Sequence, residues 1–256
     1  TLNTARYATV ADGTTVSGRS MSEMRGYAAF ESLFPSTEAD GALGESLYYD
    51  SNNNAKTAFT PSVAGNSKTF TFSCWFKREK IDGSNQGLFA AGAFSNGVFQ
   101  SAIDIQTYSP NSINEMIGIG SGSYGYNQPL HAYWPIPILD NSSWYHLVIA
   151  IDTTKSYAND RLRGYLNGIE LTGNLIGLAN RGTTVSQNYS FAFNEVNKVH
   201  SVGGLNGGNS SKFYGTIADV KFIDGKQLRP DSFGELVQGI WIPKAFNTNP
   251  NSNSTI

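Results

Sequence analysis

The chain has 256 residues, a formal net charge of −2 and 15% charged residues, against about 25% in ordinary domains. That balance excludes a phosphate-neutralising nucleic-acid surface, which needs clustered Lys and Arg, and electrostatic attachment to anionic membranes. With 39% hydrophobic and 12% aromatic residues, 27 Gly and a single cysteine, the chain is neither disordered nor stapled by an internal disulfide.

Strong helix formers are scarce, while aromatics, Thr, Ser and Gly are plentiful, so the composition favours strands joined by many turns. No stretch approaches the ~20 apolar residues that span a bilayer. The chain opens at Thr1 without a charged-then-apolar leader and reads as processed or as a segment of something longer. Residues 1–44, rich in Ala, Gly, Ser, Thr and Glu, read as an N-terminal arm with one short helix over 22–34. Such an arm docks on its own domain or on a neighbour. The run from Thr69 to Lys77 alternates cleanly. Phe70, Phe72, Cys74 and Phe76 take one face, and Thr69, Thr71, Ser73, Trp75 and Lys77 take the other, as in a half-buried strand.

Gly118 to Asp140 reads as a long loop whose three prolines exclude a central strand. The run from Trp144 to Asp152 is a strand, apolar on both faces toward its end and therefore central in a sheet. Asn167-Gly168 between two apolar runs predicts a hairpin with a type I′ turn. Alternation returns from Lys212 to Ile223 through Tyr214, Thr216, Ala218, Val220 and Phe222, and Asp224-Gly225 makes the next turn. Residues 247–256 are polar and low in complexity, a linker or tail.

Four segments carry a resemblance: Gly65 to Arg78, Trp144 to Thr154, Tyr165 to Leu171, and Tyr214 to Gly225 followed by Trp241-Ile242-Pro243-Lys244. They resemble a laminin-G-like jelly roll of the concanavalin A-like lectin/glucanase superfamily. The Ala-Asp-Val-x-Phe-Ile-Asp-Gly to Trp-x-Pro-Lys succession looks like the version found in virion structural proteins of tailed, often marine, phages. The resemblance covers residues 45–246. It implies an all-β fold, a two-sheet antiparallel jelly-roll sandwich with an N-terminal arm. It also implies a virion location, as head decoration or tail-fibre adhesin. Partners would be other virion proteins, further copies of the chain in a homo-oligomer such as a trimer, and a host-surface glycan, with no nucleic acid and no membrane insertion. The alternatives are a stand-alone carbohydrate-binding module and, less well supported, a glycan hydrolase.

Hydrolysis on this superfamily fold needs a carboxylate pair on one sheet face. The relatives' Glu-x-Asp-x-x-Glu pattern is absent: Glu38 and Asp40 begin it, but Leu43 stands where the second Glu belongs. The chain therefore reads as a non-enzyme. His146 reads as a hydrogen-bonded sheet histidine, and Cys74 as a small buried hydrophobe. For a sugar, the segment 124–134 supplies ring faces and planar polar groups in Tyr124, Tyr126, Asn127, Gln128, His131, Tyr133 and Trp134. The competing readings are a loop that buries its own aromatics and a subunit contact. Relatives often hold one Ca²⁺ at a loop rim. Asp50 with Asn52, and Asn159 with Asp160, are the oxygen-bearing candidates, with turn formation as the competing reading.

Overall fold

The computed structural model describes residues 46–50, 55–92, 98–107, 115–123, 130–136, 138–175, 183–205 and 211–246. The expected arm, the tail and the Tyr124, Tyr126, Asn127, Gln128 and Asn52 positions lie outside the described residues. Among the described residues fourteen strands follow in chain order: β1 (Ser46–Tyr49), β2 (Thr57–Phe59), β3 (Thr69–Arg78), β4 (Gln86–Ala91), β5 (Val98–Thr107), β6 (Glu115–Ser123), β7 (Leu130–Trp134), β8 (Tyr145–Asp152), β9 (Leu162–Leu166), β10 (Ile169–Glu170), β11 (His200–Val202), β12 (Gly215–Asp224), β13 (Gly234–Val237) and β14 (Ile240–Pro243). They form two six-stranded antiparallel sheets, ordered β1-β12-β3-β8-β9-β10 and β2-β11-β4-β5-β6-β7, and a separate β13–β14 hairpin.

The predicted faces of β3 are the observed ones. Phe70, Phe72, Cys74 and Phe76 are buried in the core between the sheets. Phe72 stacks on Phe89 of the second sheet with ring centroids 5.0 Å apart, which ties the two layers together. Burial raises the Cys74 thiol well above its usual range, so it is an inert hydrophobe. β8 lies centrally between β3 and β9, as its two apolar faces require. Leu147, Ile149 and Ile151 join the core, while Val148 and Ala150 pack outward with Phe233 and Tyr165. Asn167 and Gly168 turn between β9 and β10 with φ of 49° and 80°, the backbone of a type I′ turn.

Two expectations are corrected. The Gly118–Asp140 stretch is not one loop: it contains the end of β6 and all of β7. β7 is an edge strand, the position its flanking prolines permit. The glycines of β6 disguised it, yet Gly118 has no room for a side chain, because a Cβ there would meet the Tyr133 backbone and ring. The β12 alternation does not run through in one phase. A bulge between Ala218 and Lys221, with Asp219 at φ 48°, reverses it. Ala218 therefore lies opposite Trp75 on the outer face, while Phe222 lies opposite Phe72 on the inner face.

The outer face of the first sheet is covered in turn by the C-terminal segment. Trp241 donates its indole N–H to His146 Nδ1 at 3.0 Å. His146 also stacks against Trp75, with centroids 4.8 Å apart. The resemblance-bearing Trp241 is thus a clasp between hairpin and sheet.

Candidate ligand-binding site

At one edge of the sandwich, β7 of one sheet approaches β9 and β10 of the other. The gap is bridged by Trp134. Its indole lies over Gly164, where a Cβ would come within 2.6 Å of the ring; β9 therefore needs a glycine at this point. Beside the indole is a cleft of about 310 Å³, at the lower end of small-ligand sites. Leu162, Leu171, Leu175 and Val185 give it apolar walls, and Asn159, Thr172, Thr183 and Thr184 give it neutral hydrogen-bonding groups.

Among the described lining residues the charged groups are Arg163 and Glu170, positioned by the hairpin register. Glu170 pairs with Tyr165 across the turn, and Arg163, two residues before Tyr165, shares its face. Arg163 Nη1 donates to Glu170 Oε1 at 2.8 Å and Nη2 donates to Asp160 Oδ1 at 2.6 Å. The bond to Asp160 and the nearby Glu170 charge raise the Arg163 pKa, so the guanidinium stays charged. Arg161 is spent differently: its three guanidinium nitrogens donate to the carbonyls of Lys155, Val185 and Ser156.

This cleft joins two residues predicted for different roles, Trp134 for sugar contact and Asn159 for calcium. The rest of the expected platform separates from it. Leu130, Ala132 and Trp134 face the core, while His131 and Tyr133 face the opposite side and are fully buried. There the Tyr133 hydroxyl donates to Asp104 Oδ1 in a very short bond. Gln106 Nε2 donates to Asp104 Oδ2 at 2.9 Å, and Gln106 Oε1 lies 3.1 Å from His131 Nε2. Burial lifts the Asp104 carboxyl to about 6 against these bonds. His131 and Tyr133 are therefore members of a buried polar network, not an exposed sugar platform. The expectation failed because strand alternation sends neighbouring aromatics to opposite faces.

Of the calcium candidates, Asn52 lies outside the described residues, and the others have structural partners or sit at the cleft. Asp160 is balanced by a guanidinium, Asp50 closes a turn by accepting the Ala55 amide at 3.3 Å, and among the described residues no three His, Cys, Asp or Glu side chains cluster. Sequence reasoning missed Arg163, Glu170 and Thr183 to Val185. The first two were readable, because a two-residue Asn-Gly hairpin fixes which residues face each other.

The buried groups elsewhere do not assemble nucleophilic chemistry. His146 Nε2 lies 2.9 Å from Ser73 Oγ, but an indole N–H can only donate, so Nδ1 accepts from Trp241 and Nε2 carries the proton. His146 thus donates to Ser73 and cannot take its proton. Burial and the Lys221 charge press the imidazole down to about 3, which keeps it neutral. Asp219 is spent on Lys221 in a buried ion pair.

No curated protein sequence matches the chain significantly. Solved structures of similar outline include the heptameric SAP-like pentraxin of Limulus polyphemus, at 14% identity and TM-score 0.39, matching 64% of this chain and 68% of that one. Another is domain 4 of AbnA, a GH43 extracellular arabinanase of Geobacillus stearothermophilus, in complex with arabinotriose. It has 17% identity and TM-score 0.41, and the match covers 79% of this chain and 92% of that one. A third is the CBM40 of the Ruminococcus gnavus IT-sialidase bound to alpha2,3 sialyllactose. It has 14% identity and TM-score 0.43, and the match covers 70% of this chain and 95% of that one. The model of a protein family described as the concanavalin A-like lectin/glucanases superfamily matches residues 50–231, and the chain belongs to that family.

Proposed function

We propose that this lectin-like jelly roll is a non-enzymatic domain of a virion structural protein, on the particle exterior, and that it binds a glycan in the edge cleft beside Trp134. The observation that carries the binding role is the lining: Leu171 and Leu175 offer partly exposed aliphatic surface for sugar C–H edges beside the buried Trp134 indole, and Asn159 and three threonines offer groups for hydroxyls.

The non-enzymatic reading is supported by the state of the acids. A retaining glycosidase needs one carboxylate as nucleophile and one carboxylic acid as proton donor. Glu170, the carboxylate among the described lining residues, is held by the Arg163 guanidinium, which also holds Asp160 behind it. The described lining thus offers one ion-paired carboxylate where hydrolysis needs two. The virion setting rests on the resemblance of the Ala218 to Gly225 and Trp241 to Lys244 segments to phage structural proteins.

The test is calorimetric titration of the full chain with host-envelope polysaccharide, alongside Asn159→Ala and Thr184→Ala. Saturable binding that both variants weaken, at unchanged melting temperature, is the expected result. No saturable binding by folded protein overturns the glycan role, and new reducing ends released from the polysaccharide overturn the non-enzymatic one. Detection of the chain in purified particles by mass spectrometry checks the setting.

A further inference from the structure

The strand β12 carries a charged pair that the binding reading leaves unused. Asp219 and Lys221 stand two residues apart and are 3% and 2% exposed. The bulge between Ala218 and Lys221 breaks the alternation there, and Asp219 takes the left-handed backbone, φ 48°, in the middle of a strand. The two side chains meet: Lys221 Nζ donates to Asp219 Oδ1 in a very short contact. Asp219 Oδ2 has no hydrogen-bond partner among the described residues. Neither group has a second ion-pair partner there. A buried pair offsets its desolvation only when further hydrogen bonds satisfy the remaining lone pairs, and one carboxylate oxygen here has none. The pair is thus closely held, cut off from water and incompletely satisfied.

We propose that Asp219 and Lys221 condense into an intramolecular isopeptide bond between Cγ and Nζ, with release of one water. The proton that Nζ donates passes along the hydrogen bond to Oδ1, which leaves a neutral amine against a neutral carboxylic acid. Low-polarity surroundings favour that uncharged pair over the ions. The Nζ lone pair then attacks Cγ, the Cγ–Oδ1 bond breaks, and Oδ1 takes a second proton from Nζ and departs as water. Oδ2 remains as the amide oxygen and Nζ keeps one hydrogen. Burial raises the Asp219 carboxyl above its usual range, against the pull of the Lys221 charge, which favours the acid form the step requires. Groups held in contact react as if at effective concentrations of about 10⁵ M or more, and exclusion of water opposes the reverse hydrolysis.

The product removes two buried charges and leaves one carbonyl oxygen and one N–H to be satisfied. It needs no oxidant, so it staples a chain whose single cysteine cannot form an internal disulfide. The staple is local. It locks the bulge that sets Ala218 opposite Trp75 and Phe222 opposite Phe72, and so fixes the phase of β12 on β3.

The experiment measures the intact mass of the full chain in denaturant and then maps its tryptic peptides by tandem mass spectrometry. The expected mass is one water below that of the sequence. The deficit is expected in a peptide running from Phe213 to Lys226 and uncut after Lys221, because the amide removes the charged amine that trypsin recognises. Lys221→Arg is expected to show the full mass of its own sequence and to be cut at that position. Asp219→Asn is expected to close the same bond by losing ammonia in place of water, and so to reach the mass of the unmodified chain. A full-sequence mass with cleavage after Lys221 overturns the proposal and leaves an ion pair. A water deficit with cleavage after Lys221 also overturns it, because a cyclic imide at Asp219 then accounts for the loss. Persistence of the deficit in Lys221→Arg overturns the assignment to this nitrogen. The first readout is made on the unmodified chain, so it decides the matter whether or not the variants fold.

Discussion

Arg78 and Arg163 are each paired with carboxylates, and the pairs do different work. Arg78 sits at the end of β3, between the sheets, with its side chain 0% exposed and its partner Glu115 2% exposed. Its Nη1 donates to both oxygens of Glu115 and to the Ile138 carbonyl, and Glu115 in turn accepts the Ile138 amide at 3.1 Å. Arg163 is 34% exposed, and its partners Glu170 and Asp160 are 36% and 38% exposed. The geometries are close, with shortest N–O distances of 2.7 Å and 2.6 Å, so exposure is what separates them. Two charges removed from water must keep each other, whereas two charges at the rim have water as an alternative. The inner pair fastens β3, the start of β6 and Ile138 together. The outer trio, a third or more exposed, is expected to contribute little to folding.

The largest expected effect comes from breaking the inner pair. Glu115→Ala leaves a buried guanidinium whose Nε and Nη2 already have no hydrogen-bond partner among the described residues. The expected loss is about 3–5 kcal/mol of unfolding free energy, read from urea denaturation. The double variant Arg78→Met/Glu115→Leu separates the cost of a stranded charge from the value of the pair. Apolar residues of similar volume are expected to recover most of the loss. A double variant as unstable as Glu115→Ala would show that the pair itself carries the stability of this end of the sandwich.

Asp104 extends the comparison to a buried carboxylate with no ion-pair partner among the described residues: its oxygens accept from Tyr133 and Gln106. Burial raises its carboxyl to about 6, above the ordinary 3.8. Between those values the native state holds a proton that the unfolded chain has released. Asp104 therefore contributes most below about pH 3.8, and its contribution is lost as pH rises through 6. His146 and His200 act in the opposite sense. Burial lowers them to about 3 and about 4, so their contribution is complete above about pH 6.5 and is lost as pH falls. Asp104→Asn keeps an acceptor for Tyr133 and removes one titration. Its stability relative to the unmodified chain is expected to improve by roughly 3 kcal/mol from pH 3.8 to 6, at about 1.4 kcal/mol per pH unit. Because both histidines remain in the variant, they cancel in the difference. Parallel stability–pH curves would mean that Asp104 titrates alike in the folded and unfolded chain.

Where local pattern decides structure, the chain was readable. The faces of β3, the centrality of β8 and the Asn167–Gly168 turn follow from side-chain alternation and turn chemistry, which act over a few residues. Three features escaped for different physical reasons. The bulge at Asp219 reverses the phase of β12, and no short-range pattern announces a one-residue insertion. β6 hides behind glycines whose purpose, room for the Tyr133 ring, belongs to a neighbouring strand. The cleft draws one wall from Trp134, one from the 158–175 region and one from Thr183 to Val185. Their meeting depends on how two sheets stack. Tyr133 and Trp134 were expected side by side on one surface, and a single step along β7 puts them on opposite faces.

The smallest effect is the one that separates folding from recognition most cleanly. Arg163→Gln removes the outer cation and leaves Asp160 and Glu170 facing water that can solvate them. Exposed pairs of this kind are worth about 0–1 kcal/mol, so the melting temperature is expected to move by only a few degrees. Loss of the guanidinium also leaves both carboxylates without a cation and takes the trio from a net charge of −1 to −2. Affinity for a galacturonate trisaccharide is then expected to fall by a larger factor than affinity for a neutral one. A large stability loss on Arg163→Gln would place this arginine with Arg78, as a fastening between β9 and β10. The distinction drawn from exposure would then fail at the site where it matters for function.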